Sequence, residues 1–337
     1  FTLWLAFVLI VSAILAGVGW VLANDMCSFN KAPVETTIEI TRDDDLNTIA
    51  TKLKDDGLIQ YKWFFKLFGK VRHAESRIGI GTYKVDSDMD YDALINRMSN
   101  KNASLTANTV KISIPEGYTV TQIFQLLEDN NVATVEELTQ AAAEHDYAFS
   151  FLQDIPLGEA GRLEGFLYPD TYQFNTPHRA LYAINKMLVN FDEKYTEDLR
   201  QKVTDSGYSI REILTIASMI EKETDGTDRT LISSVIHNRL ENVGETAHLL
   251  QIDASLVYAA GREITEDDYQ TLDSPYNLYT HQGLPPTAIA NAGKASIQAA
   301  LQPDDTNYYF YVLNPDTQRH VFSRTLSEHN ANLRKFG

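Results

Sequence analysis

The segment Ala217-Ser218-Met219-Ile220-Glu221-Lys222-Glu223-Thr224 sets two carboxylates at the end of an otherwise apolar run. Charge beside a core needs a reason, because ionised side chains are rarely buried without a partner or a task. At about 100° per residue, Ile210, Ile213, Leu214, Ala217 and Ile220 share one stripe of a helix, and Glu221 projects into it. Glu223 falls at the edge, beside Ile216 and Met219. A carboxyl against apolar side chains has its charged form disfavoured, so it can hold a proton near neutral pH and give it to a leaving oxygen. Glycosidases use their general acid in this way. Glu221 is expected to be the more buried of the two, and Glu223, able to reach substrate from a cleft wall, the catalytic one.

Further polar motifs follow: His237-Asn238-Arg239-Leu240, Leu250-Gln251-Ile252-Asp253, and Ser274-Pro275-Tyr276-Asn277-Leu278-Tyr279-Thr280-His281-Gln282-Gly283-Leu284-Pro285-Pro286. Other chemistries lack their spacing. The eight histidines form neither His-x-x-x-His nor His-Glu-x-x-His, and there is no Gly-x-Ser-x-Gly elbow. Gly79-Ile80-Gly81 lacks the third glycine of a dinucleotide loop.

Through Glu-Lys-Glu-Thr, Asn-Arg-Leu, the Gln251 and Asp253 pair, Tyr-Asn-x-Tyr-Thr, Gly-Leu-Pro-Pro and Ser327-Glu328-His329-Asn330, the chain resembles the endolytic murein transglycosylase family, the MltG or YceG-like group. The resemblance covers nearly the whole length. It implies that Glu223 is catalytic and that Glu221, Gln251, Asp253, Tyr276, Asn277, Thr280 and Asn330 bind substrate, with Asp253 the best candidate for stabilising charge. The loop from Asn242 to His248 and the bulky Ile252 depart from the family's pattern.

A lytic transglycosylase needs one carboxylate where hydrolytic glycosidases use two. The C6 hydroxyl of N-acetylmuramic acid attacks its own anomeric carbon, so Glu223 would act first as acid and then as base, leaving a 1,6-anhydro end without metal or cofactor. A muramidase using water, with Asp253 as second carboxylate, and a non-catalytic cell-wall scaffold are the alternatives. Implied partners are peptidoglycan strands and, from the resemblance alone, peptidoglycan synthases.

To present Glu223, the sequence must build a helix from Ile210 to about Thr224, with Asp205-Ser206-Gly207-Tyr208-Ser209 as turn and N-cap. Thr134 to about Ser206 reads as mostly helical, broken by the aromatic loop Gly165-Phe166-Leu167-Tyr168-Pro169-Asp170-Thr171-Tyr172. Tyr308–Leu313 and His320–Ser323 read as strands around an Asn314-Pro315-Asp316 turn.

Earlier in the chain, a strand at Thr37–Ile40 and a helix carrying Leu46, Ile49 and Leu53 form a unit that returns downstream without a gap. Ile38, Ile40, Leu46, Ile49, Leu53, Asp55 and Leu58 align with Ile112, Ile114, Val120, Ile123, Leu127, Asp129 and Val132. Gly81–Val85 supplies another strand, and the unit loosely resembles a LysM carbohydrate-binding module.

Residues 1–23 carry no charge and hardly a polar side chain besides Ser12, long enough to cross a hydrocarbon core of roughly 30 Å. They read as a transmembrane helix rather than a signal peptide, whose apolar region is shorter. The 46 acidic against 29 basic residues, net charge -17, exclude nucleic acid as a plausible partner. Cys27 is the single cysteine, so no internal disulfide forms. The expected layout is α+β: transmembrane helix 1–23, linker 24–34, LysM-like α/β module 35–108 and mixed α+β catalytic domain 109–337. The implied location is a bacterial inner membrane, single-pass, with the catalytic domain outside the cytoplasm.

Overall fold

The computed structural model describes residues 2–29, 31–100, 108–176, 180–224, 226–241 and 246–336. Of the atypical loop from Asn242 to His248, the residues 242–245 lie outside the described residues. The chain divides into two compact units, both mixing helices with two-stranded sheets.

The first unit holds α1 (Thr2–Met26), β1 (Glu35–Ile40), α2 (Leu46–Asp55), α3 (Lys62–Val71), α4 (Ala74–Arg77), β2 (Gly81–Asp86), α5 (Tyr91–Ser99) and most of β3 (Asn108–Ser113). β1 pairs antiparallel with β2, Glu35 opposite Asp86 and Ile40 opposite Gly81. Alternation sends Ile38 and Ile40 inward and Glu35, Thr37 and Glu39 outward. Asp45 starts α2 by accepting from the Thr48 amide at 2.6 Å. Ile49, Leu53, Phe65, Tyr83, Tyr91 and Leu94 join Ile38 and Ile40 in one core.

The apolar helix is longer than the sequence alone suggests. It runs through Asn24 and Asp25, where a linker was expected, and Asp25 has partners there. Its buried carboxylate accepts from the Gln60 and Tyr61 amides, each at 2.9 Å, and from the Tyr91 hydroxyl at 2.5 Å, with Lys31 Nζ at 3.3 Å. A buried charge so supplied is tolerated where a bare one is not.

α6 (Val120–Asp129), β4 (Thr171–Thr176) and α8 (Ala180–Lys194) each contribute residues to both units. The internal repeat is visible in burial: Ile112, Ile114, Val120, Ile123, Leu127 and Val132 are all buried, like their counterparts from Ile38 to Leu58. The two copies do not share a sheet, since β1 pairs with β2 and β3 with β4. β4 itself falls in a stretch that reads as mostly helical.

The second unit adds α7 (Val135–Glu144), α9 (Glu197–Ser206), α10 (Ile210–Glu223), α11 (Arg229–Glu241), α12 (Asp253–Ala260), α13 (Asp268–Thr271), α14 (Lys294–Leu301), β5 (Phe310–Asn314), β6 (Arg319–Ser323) and α15 (Leu326–Phe336). α10 packs against α11, α12 and α14, and every residue from Ile213 to Ile220 is buried. It is therefore a central helix buried all round, not one with a single apolar face. Its polar members are satisfied internally: Ser218 Oγ donates to the Thr215 carbonyl at 2.7 Å and accepts from the Ile289 amide at 3.0 Å. β5 and β6 form an antiparallel hairpin, Phe310 opposite Ser323, covered by α15.

Candidate active site

Both ends of α10 are fixed by local chemistry. At its start, Ser209 and Glu212 form a capping box, the Ser209 hydroxyl accepting from the Glu212 amide at 3.2 Å and the Glu212 carboxylate from the Ser209 amide at 2.8 Å. At its other end, Glu223 is the last helical residue and emerges half-buried. Desolvation pushes its carboxyl above the ordinary range. The Tyr311 hydroxyl, donating to Oε2 at 2.9 Å, opposes that shift, the charge of Asp253 adds to it, and His320 pulls the other way. Desolvation prevails, as a carboxylate stripped of water requires.

Tyr311 comes from β5 and stacks edge-on against His320 of β6, ring centres 5.2 Å apart. His320 in turn meets Asp228: its amide donates to Oδ2 at 3.1 Å and its ring Nδ1 lies 2.8 Å from the same oxygen. The Thr224 hydroxyl donates to the other Asp228 oxygen. Burial works against the Asp228 charge, but these donors hold the carboxyl below its usual value. The residue after Glu223 is thus tied to the β5–β6 hairpin that supplies Tyr311.

Asp253 begins α12 and is exposed, its carboxylate accepting from Tyr279 and, at 3.2 Å, from Tyr269. The preceding turn carries Gln251 in the left-handed region, φ 54°, a conformation that costs a non-glycine residue roughly 1–3 kcal/mol. Ile252, where a small polar residue was expected, is 2% exposed and anchors this turn in the core. Buried Arg239 completes the anchorage, donating to the carbonyls of Tyr309, Leu249 and Leu250 and to Gln251 Oε1, the last at 3.1 Å. The side-chain oxygen of Gln251 is therefore already engaged by the protein.

The other expected site residues separate by environment. Glu221 accepts from the Gly293 amide at 3.0 Å, at the N-cap of α14, and has Arg229 at 3.8 Å. It holds one helix against another, and it is half-buried like Glu223, not set apart from it by burial as the helical wheel suggests. Asn277 is completely buried, its amide directed at the carbonyls of Asp268, Tyr269 and Leu272 and its oxygen taking the Tyr279 amide. The Tyr276 hydroxyl pairs with Thr287 at 2.7 Å. Thr280 is exposed, its hydroxyl 3.3 Å from the Asn277 carbonyl, and Asn330 is exposed on α15. The structure brings Glu223 and Asp253 into one electrostatic neighbourhood with Tyr311, Tyr279 and Arg239.

Tyr311, His320, Asp228 and Glu164 escape sequence reasoning. Glu164 is 4% exposed, accepting from the Val120 amide at 3.0 and 3.1 Å, from Asn291 Nδ2 at 3.0 Å and from the Tyr258 hydroxyl at 3.2 Å. Burial outweighs these donors and pushes its carboxyl up to about 8. Its signal was a lone acid between Leu163 and the aromatic loop beginning at Gly165. Strand alternation around Tyr311 carries no such mark.

Comparison with known proteins extends the pattern over the chain. Residues 38–335 match the YceG-like family. The endolytic murein transglycosylase of Bacillus subtilis (strain 168) is 32% identical over 311 residues, covering 89% of this chain and 84% of that protein. The endolytic murein transglycosylase of Streptococcus pneumoniae serotype 2 is 26% identical over 325 residues, covering 88% of this chain but 57% of that one. A crystal structure of a YceG-like protein from Listeria monocytogenes, 30% identical, superimposes with a TM-score of 0.58, covering 89% of this chain and 100% of the other.

Proposed function

The chain belongs to the YceG-like family, and from that premise we propose that it is an endolytic peptidoglycan lytic transglycosylase with Glu223 as its single acid and base. The observation that carries the reading is the half-buried Glu223 at the end of α10, its carboxyl raised by desolvation and held by Tyr311. The name of the Bacillus subtilis relative supplies the substrate class.

Protonated Glu223 gives its proton to the glycosidic oxygen between N-acetylmuramic acid and N-acetylglucosamine as that bond breaks. The resulting carboxylate takes the proton from the C6 hydroxyl as its oxygen bonds to the anomeric carbon, closing the 1,6-anhydro ring. A hydroxyl held on the same sugar reacts at a very high effective concentration, so no outside water needs activation. Tyr311 keeps Oε2 aimed, and Asp253, exposed nearby, stabilises positive charge on the opened sugar. α1 anchors the chain in the cytoplasmic membrane with the second unit on the outer side, where nascent glycan strands lie.

A hydrolytic variant is favoured by one observation: the charge of Asp253 reaches Glu223, placing a second carboxylate in the neighbourhood. Product analysis separates the two. The full chain in detergent and its Glu223→Gln variant are incubated with uncrosslinked glycan strands and the fragments weighed by mass spectrometry. Anhydro ends from the parent alone establish the lyase. Reducing ends establish hydrolysis, and fragments from neither protein leave a cell-wall binding scaffold.

A further inference from the structure

The exposed surface of α3 does not suit water alone. Trp63, Leu67 and Val71 recur every fourth residue, forming one row along the helix, and they are 55%, 53% and 71% exposed. Single exposed apolar side chains are ordinary, but a contiguous row headed by a tryptophan is not. Immediately beside it runs a second row with the same spacing, Lys62, Lys66 and Lys70. On the opposite side Phe65 and Gly69 enter the core.

In a chain of 46 acidic and 29 basic residues, the stretch from Gly57 to Ala74 contains no acid and four basic side chains, Arg72 being the fourth. This basic segment starts where α1 ends. The Asp25 carboxylate, in the last turn of α1, takes the Gln60 and Tyr61 amides that immediately precede α3. Phe29, 53% exposed, follows the same helix end, its amide bonded to the Asn24 carbonyl. The apolar row, the lysine row and the exit of α1 are therefore held together within one unit.

We infer that α3 is an interfacial helix that lies on a phospholipid surface, Trp63, Leu67 and Val71 dipping among the headgroups and Lys62, Lys66 and Lys70 meeting anionic lipid. Tryptophan is favoured at that depth because its ring is apolar while its N–H can bond to water or lipid, and lysine reaches the phosphates with its stem on apolar ground. A basic amphipathic helix next to a membrane segment is the arrangement that anionic lipid attracts. With α1 crossing the bilayer, the reading on which the inference rests, α3 needs no travel to reach the surface. Its role is to fix the tilt of the first unit on the membrane.

The test uses the full chain in vesicles whose lipids carry bromine at shallow or deep chain positions, quenchers of tryptophan fluorescence. The three tryptophans are Trp4, Trp20 and Trp63, so Trp4→Phe with Trp20→Phe leaves Trp63 as reporter, and Trp4→Phe with Trp63→Phe leaves Trp20. Trp63 is expected to be quenched most by shallow bromine, more strongly with phosphatidylglycerol than in phosphatidylcholine alone. Changing Lys62, Lys66 and Lys70 to Gln should abolish that difference. Trp20 quenched by deep bromine while Trp63 is untouched at every depth overturns the inference and leaves the anchor standing. Neither quenched overturns both, whereas Trp63 quenched without regard to lipid charge or the lysines overturns the electrostatic part.

Discussion

The Tyr311 hydroxyl donates to Glu223 Oε2 at 2.9 Å across the gap between a hairpin strand and the end of the central helix. The bond favours the ionised carboxylate and so restrains a pKa that desolvation drives upward. Tyr311→Phe removes the restraint. A general acid works only while protonated, so the alkaline limb of the pH profile moves to higher pH. kcat/KM falls by about tenfold as Glu223 loses its aim. Profiles of parent and variant on glycan strands measure both effects.

Asp253→Asn acts in the opposite direction. Its negative charge raises Glu223, so neutralising it lowers that carboxyl and draws the alkaline limb to lower pH. In the lyase reading the loss of rate is modest, whereas loss of a required second carboxylate lowers kcat by about 10²–10⁴. The size of the fall and the direction of the limb are read from the same titration.

Glu164 makes global stability depend on pH. Its folded value of about 8 exceeds its ordinary 4.5, so the folded state binds the extra proton between these values. Its contribution to stability is full below the lower value and is lost as pH rises to about 8. Glu164→Gln, which has no proton to lose, is expected to lack that slope. Thermal unfolding of both proteins across the window decides it.

Gly165 sits at φ 90°, and a Cβ there would lie 2.9 Å from the Ala288 Cβ and 3.3 Å from that of Leu214. Gly165→Ala combines a disfavoured backbone with overlap in the core and should destabilise by about 2–4 kcal/mol. Chemical denaturation with an unchanged m value is the expected result.

The elements carrying strong local signals were legible. The α10 cap at Ser209, the hairpin around Asn314-Pro315-Asp316 and the buried positions of the repeat stand where periodicity and turn residues put them. What was not legible depended on residues distant in sequence. Asp25, expected in a linker, lies inside α1, where Gln60, Tyr61 and Tyr91 converge on its carboxylate from later in the sequence. The family resemblance implies a substrate contact for Asn277, and in the structure three carbonyls of the α13 segment engage its amide. Tyr311 lies 88 residues beyond Glu223, and no local pattern announces their pairing.

Glu223 occupies the last turn of α10, where the aligned peptide dipoles leave about half a negative charge. Asp253 adds its negative charge to that pole, Arg239 and His320 offset part of it, and Lys222 is turned to solvent, so the field from the helix end and Asp253 is negative where it meets Glu223. A neutral sugar feels little of it. In the proposed reaction, positive charge grows on the ring carbon and oxygen as the glycosidic bond stretches, and that charge is what the field attracts. The helix end that makes a bare carboxylate uncomfortable is thus already oriented to favour an oxocarbenium ion, a species present only at the top of the barrier.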